Sequence, residues 1–154
     1  MKKLENKLLD LVAESISMSE FEHWLNKDVE ILNALENDEF ILEVCVINLN
    51  SRHSSRELES IIRNRMSKEA FLAEIILRVC QNILDSGIKK PVYRMVGLIY
   101  GHFCWDEDFG LMQDFYYAYY DIDMANDGYC TDRSVLDSIL ILARRVVDNM
   151  AGKT

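Results

Sequence analysis

Apolar residues recur along most of this chain at the three-and-four spacing of an α-helix, and the polar residues between them mark where one helix stops and the next begins. Leu4, Leu8, Leu11 and Val12, with charges between them, predict an amphipathic helix over about residues 3–15. Ser19 and Glu22 have the spacing of a capping box, in which a serine hydroxyl and a glutamate three positions on satisfy each other's backbone amides. That box opens a second helix presenting Phe21, Trp24 and Leu25, followed by a third short one carrying Ile31, Leu32 and Leu35. Residues 40–47 are a compact apolar run, rich in β-branched side chains, that suits a buried strand or a buried helix. Helix is favoured, because no other segment shows a period of two and a single strand would leave its backbone groups unpaired.

Further along, Ser54 and Glu57 offer a second capping box ahead of Leu58, Ile61 and Ile62. Ser67 can cap a long helix whose apolar face includes Leu72, Ile75, Ile76, Val79, Ile83 and Leu84, and Gly87 supplies its stop. Pro91 stands where a first helical turn tolerates it, leading into Val92, Met95, Val96, Ile99, Tyr100 and Phe103. In that helix Gly97 and Gly101 leave a smooth stripe for close packing. Residues of about 109–124 continue as a helix, and Gly128 breaks the chain before a strongly apolar last helix at about 132–150. Val135, Ile139, Leu142, Ala143 and Val146 give that helix a face wide enough to be a central element. The pattern therefore predicts an all-α fold, a single-domain bundle of about seven to eight helices over residues 1–154, with residues 38–49 its most ambiguous element.

Composition agrees: 154 residues are 49% hydrophobic, with one proline and six glycines, a balance suited to long helices. The start lacks the apolar stretch of a secretory signal, and the most apolar segment, 92–105, is interrupted by Arg94 and His102 and too short to cross a bilayer. These features predict a cytoplasmic protein. Cys45, Cys80, Cys104 and Cys130 are widely spaced and read as free thiols serving as small buried hydrophobes.

Charge changes the picture more. Residues 105–137 hold nine carboxylates and one arginine, a local charge of −8 beside −9 for the whole chain. They surround the run Phe115-Tyr116-Tyr117-Ala118-Tyr119-Tyr120, whose rings project around most of a helix and cannot all enter one core. Exposed tyrosine beside acid is a composition of protein interfaces, although rings packed in a crowded bundle with solvated acids around them have the same sequence. Such a surface disfavours nucleic acid and acidic membranes and attracts basic protein. The candidate partner-binding residues are Asp106, Glu107, Asp108, Asp114, Tyr116, Tyr117, Tyr120, Asp121 and Asp123.

Motifs for chemistry are missing. There is no GxSxG, HExxH or phosphate-cradling glycine loop, so neither a catalytic set nor a cofactor is assigned and no enzyme is predicted. Asp121, Asp123, Asp127 and Gly128 resemble part of a calcium loop, but Ala125, Asn126 and Asp132 break the pattern. His102, Cys104 and Cys130 lack the spacing of a zinc site, so no metal is assigned. Arg52, Arg56, Arg63, Arg65 and Lys68 form a basic patch that could support a homodimer, or simply mix charge on a helix face.

The segments Phe21-Glu22-His23-Trp24-Leu25, Ile31-Leu32-Asn33-Ala34-Leu35, Asp38 through Asn48, and Glu57-Leu58-Glu59-Ser60-Ile61 resemble small bacterial immunity proteins of polymorphic or contact-dependent inhibition toxin systems. The resemblance spans about residues 20–62. It implies a cytosolic inhibitor that covers the active site of one cognate toxin without chemistry of its own. Nuclease toxins, tRNA-cleaving RNases among them, grip polyphosphate and are basic, which an acidic inhibitor matches. An all-helical adaptor or regulator of another basic protein is the alternative reading.

Overall fold

The computed structural model describes residues 2–103 and 110–152. Among the described residues every regular element is a helix: α1 (Lys2–Val12), α2 (Met18–Leu25), α3 (Val29–Ala34), α4 (Glu39–Cys45), α5 (Ser54–Asn64), α6 (Lys68–Ser86), α7 (Lys89–Phe103), α8 (Gly110–Asn126) and α9 (Asp132–Ala151). These nine exceed the expected seven to eight, with the ambiguous segment forming a helix of its own, α4, and α3 and α4 each opened by an aspartate. They group into two compact units, residues 1–75 and 76–154, with the boundary inside α6.

In the first unit α1 buries Leu4, Leu8 and Leu9, with Ala13 buried just past its end, while Leu11 and Val12, expected on the core stripe, are half-buried. The helix ends at Val12 rather than near 15 because Glu14 turns into the left-handed region at φ 55°, letting the Ser15 amide reach back to the Asp10 carbonyl at 2.8 Å. The next capping box forms two residues ahead of the expected one. Ser17 Oγ accepts from the Glu20 amide at 3.1 Å, and Glu20 Oε2 accepts from the Ser17 amide at 2.7 Å. Ile16 and Phe21 then occupy the two positions a hydrophobic staple uses, which the Ser19 frame would not provide.

The ambiguous segment is helical. Asp38 Oδ1 accepts from the amides of Phe40 and Ile41 at 2.9 and 3.2 Å, and Phe40, Ile41 and Val44 are buried along one face of α4. By contrast, the Ser54–Glu57 box does not form. His53 precedes α5 without a side-chain cap, and the Ser54 hydroxyl is buried and donates to the Leu49 carbonyl at 3.3 Å. The basic patch is largely engaged within this unit: Arg63 pairs with Glu59 at 2.7 Å and lies 4.4 Å from the Phe71 ring centre, and Arg65 lies 3.9 Å from that of Phe40.

In the second unit Ile76, Val79, Cys80 and Ile83 of α6, Val92, Val96 and Ile99 of α7, Phe115, Ala118 and Ile122 of α8, and Val135, Ile139, Ala143 and Val146 of α9 are buried. Ser67 does cap α6, its Oγ accepting from the Ala70 amide at 3.1 Å, and Gly87 (φ 59°) and Gly128 (φ 82°) make the turns that a side chain would strain. The Gly97–Gly101 stripe is not a tight seam: a Cβ at Gly97 would meet Tyr119 at 4.0 Å, and one at Gly101 would meet nothing within 4 Å. Among the cysteines, Cys80 is buried, which pushes its thiol up to about 12, whereas Cys45 is exposed, against the buried role expected of it. Cys104 lies outside the described residues.

Candidate protein-binding face on α8

The core stripe of α8 is Phe115, Ala118 and Ile122, so the helical period turns positions 113, 117 and 120 directly away from it. Tyr117 and Tyr120 are accordingly 55% and 56% exposed, and Tyr116, on the shoulder, is 49% exposed. Tyr119 is half-buried and stacks on Tyr100 of α7, ring centres 4.0 Å apart and planes within 4°. Tyr116 meets the same Tyr100 ring at 5.9 Å and is edge-on to Tyr117 at 6.0 Å, while the Gln113 amide donates to the Tyr117 hydroxyl at 3.3 Å. The result is a supported aromatic surface. The rings of Tyr116 and Tyr117 are held by neighbours on one side and wetted on the other, the arrangement that lets tyrosine anchor a partner at small cost in side-chain entropy.

The acids distribute around these rings. Asp121 and Asp123 are exposed on opposite shoulders of the tyrosine face, since two residues advance a helix by about 200°. That divergence also removes the calcium-loop geometry. Among the described residues no three His, Cys, Asp or Glu side chains converge to hold a metal ion. Asp114 is not free: Arg145 of α9 donates to its Oδ2 at 2.9 Å. Asp132 is likewise engaged, by Lys89 at 2.5 Å and by the Tyr93 hydroxyl at 3.0 Å, and these hydrogen bonds, Lys89 first, hold its carboxyl below the usual range. Burial, then Asp132, push the Tyr93 phenol up to about 12. Of the six of these carboxylates among the described residues, two thus meet cations that lie outside the 105–137 segment. Asp106, Glu107 and Asp108 lie outside the described residues.

Between α8 and α9 runs an open groove of about 210 Å³, walled by Tyr117 and Asp121 on one side and Ile141 and Arg145 on the other, with Ile139 and Leu142 beneath. Ile141 is 70% exposed and Tyr129, beyond the end of α8, is 75% exposed. Neither was among the sequence candidates. Ile141 sits within a predicted core helix where its phase, opposite Ile139 and Ala143, was the available signal; Tyr129 stands two residues after Asp127, just past the chain-breaking Gly128. Among the described residues no helix is long and apolar enough to cross a membrane. No protein-family model, no curated protein and no solved structure matches the chain.

Proposed function

We propose that this chain is an immunity protein: it binds a cognate toxin domain, a basic nuclease such as a tRNA-cleaving RNase, and neutralises it by covering the active site. The carrying observation is the solvent face of α8, where Tyr116, Tyr117 and Tyr120 are exposed beside Asp121 and Asp123. The rings supply apolar area and hydroxyls, while the carboxylates steer a cationic partner and penalise an anionic one. The resemblance of residues 20–62 to immunity proteins supports the class of partner, and the net charge of −9 supports its sign. No protein group is asked to do chemistry. Inhibition by occlusion requires shape and charge only.

Expression beside each basic toxin domain encoded in the same gene neighbourhood tests the reading. One of them is expected to be rendered harmless in growing cells, and the Tyr117→Ala/Tyr120→Ala variant to lose about 2 kcal/mol or more of binding, chiefly through faster dissociation. Asp121→Asn/Asp123→Asn is expected to slow association and flatten its salt dependence. Growth arrest that persists with every such toxin, or binding indifferent to all four substitutions, would dismiss the proposal.

A further inference from the structure

A second acidic surface lies in the first unit, far in sequence from α8. Residues 28–51 contain six carboxylates (Asp28, Glu30, Glu36, Asp38, Glu39, Glu43) and no lysine or arginine, a local charge of −6 that the whole-chain balance hides because basic residues elsewhere offset it. Asp28 and Glu30 are engaged by Lys3, and Asp38 caps α4. Among the described residues Glu36, Glu39 and Glu43 form no ion pair.

The same segment exposes its apolar side chains. Glu39, Leu42, Glu43 and Val46 follow one another at i, i+3, i+4 and i+7, a single stripe on the side of α4 opposite Phe40, Ile41 and Val44. Leu42 is 50% and Val46 70% exposed, and on α3 Val29 and Leu32 are also exposed. On the Cys45 side of α4 lies a mixed groove of about 280 Å³, bordered by Leu25, Val44, Ile47 and Leu49 and by the polar Glu22, Asn26, Asn48 and Asn50, with the exposed Cys45 at its edge. Val46 is mostly, and Leu42 half, in water, which leaves apolar area that the unit's own core does not cover.

We infer that the outer face of α4, with the groove at Cys45, docks a basic amphipathic helical segment of a partner protein, apolar residues against Leu42 and Val46 and flanking Lys or Arg against Glu39 and Glu43. The charge selects this occupant. A second copy of the chain would bring the same unpaired glutamates together, and an anionic lipid surface or nucleic acid would be repelled by all three. An apolar stripe framed by like charges is the receiving half of helix-on-groove recognition, in which area gives affinity and charge gives orientation. This surface shares no residue with the α8 face, so either can fail without the other.

The probe is a synthetic helical peptide of leucine and lysine with its leucines on one face, titrated by fluorescence anisotropy against the full chain. Leu42→Ser/Val46→Ser and Glu39→Gln/Glu43→Gln, both confined to the solvent face and checked for unchanged helicity by circular dichroism, are each expected to weaken binding about tenfold or more, a loss of about 1.4 kcal/mol. Asp121→Asn/Asp123→Asn is expected to change it less than about twofold, since neither residue belongs to the stripe. Bound peptide is expected to slow alkylation of Cys45 by iodoacetamide, read by mass spectrometry with buried Cys80 as the unreactive reference. The inference is overturned by α4 variants that bind as tightly as the parent, by a peptide of the same composition with scattered leucines binding equally well, by Cys45 alkylated at an unchanged rate, or by sedimentation showing that Leu42 and Val46 instead hold a dimer.

Discussion

Phe115 and Tyr117 stand two residues apart in one aromatic run and face opposite ways, the first wholly buried and the second half in water. Phe115→Ala is expected to destabilise the protein by about 3–5 kcal/mol, the usual cost of removing a buried ring, whereas Tyr117→Ala should stay within about 0.5 kcal/mol. Urea unfolding midpoints measure both, and a Tyr117→Ala loss approaching that of Phe115→Ala would make its ring structural instead of a binding anchor. The exposure of some tyrosines could be read in advance because five aromatic residues in six positions cover more directions than one core can occupy. The engagement of Asp114 could not, since its partner Arg145 is 31 residues away and no local pattern joins them.

At the level of elements, short α4 shows how one residue can decide between two readings of an apolar run. Its hydrogen-bonded Asp38 satisfies two first-turn amides that a seven-residue helix would otherwise leave to water. Asp38→Ala is expected to cost about 1 kcal/mol and to speed hydrogen exchange of the Phe40 and Ile41 amides before those of other helices. Unchanged exchange there would mean packing of Phe40, Ile41 and Val44 holds the helix without the cap. The capping boxes were legible as a motif but not in register. Ser17-Met18-Ser19-Glu20-Phe21-Glu22 contains the spacing in two overlapping frames, and Ser54, which fits the pattern, is drawn into a buried hydrogen bond with Leu49 instead. Tertiary burial outweighs a cap whose net worth is about 1 kcal/mol.

At the scale of the molecule, three carboxylates among the described residues are held below their ordinary values: Glu20 by its hydrogen bonds to Ser17, Asp28 chiefly by Lys3, and Asp132 chiefly by Lys89. A depressed carboxyl contributes stability that is complete above its unfolded pKa and drains away as pH falls through the folded one. The ordinary values are 4.5 for Glu20 and 3.8 for the two aspartates. Thermal midpoints are therefore expected to hold steady from neutrality to about pH 4.5 and to decline below it, with protonation of the exposed acids relieving repulsion that salt already screens at physiological strength. Midpoints rising as the pH drops below 4 would show that relief of the overall negative charge outweighs these local pairs. The charge itself is organised as two separate acidic blocks, one at 28–51 and one at 105–137, with the residues between them carrying six of the nine arginines.

By itself the sequence determined the all-helical class, the place of most helices, the exposure of part of the tyrosine run and the sign of the surface, because each depends on spacing over a few residues or on counting. The tertiary structure decided which acids remain unpaired, the groove beside Tyr117 and the apolar stripe on α4. Those depend on contacts such as Arg145 with Asp114 or Lys89 with Asp132, 31 and 43 positions apart, and on which side of a helix its neighbours leave open. Helical periodicity is written locally, but the choice of the face that meets water is made by the elements packed against it.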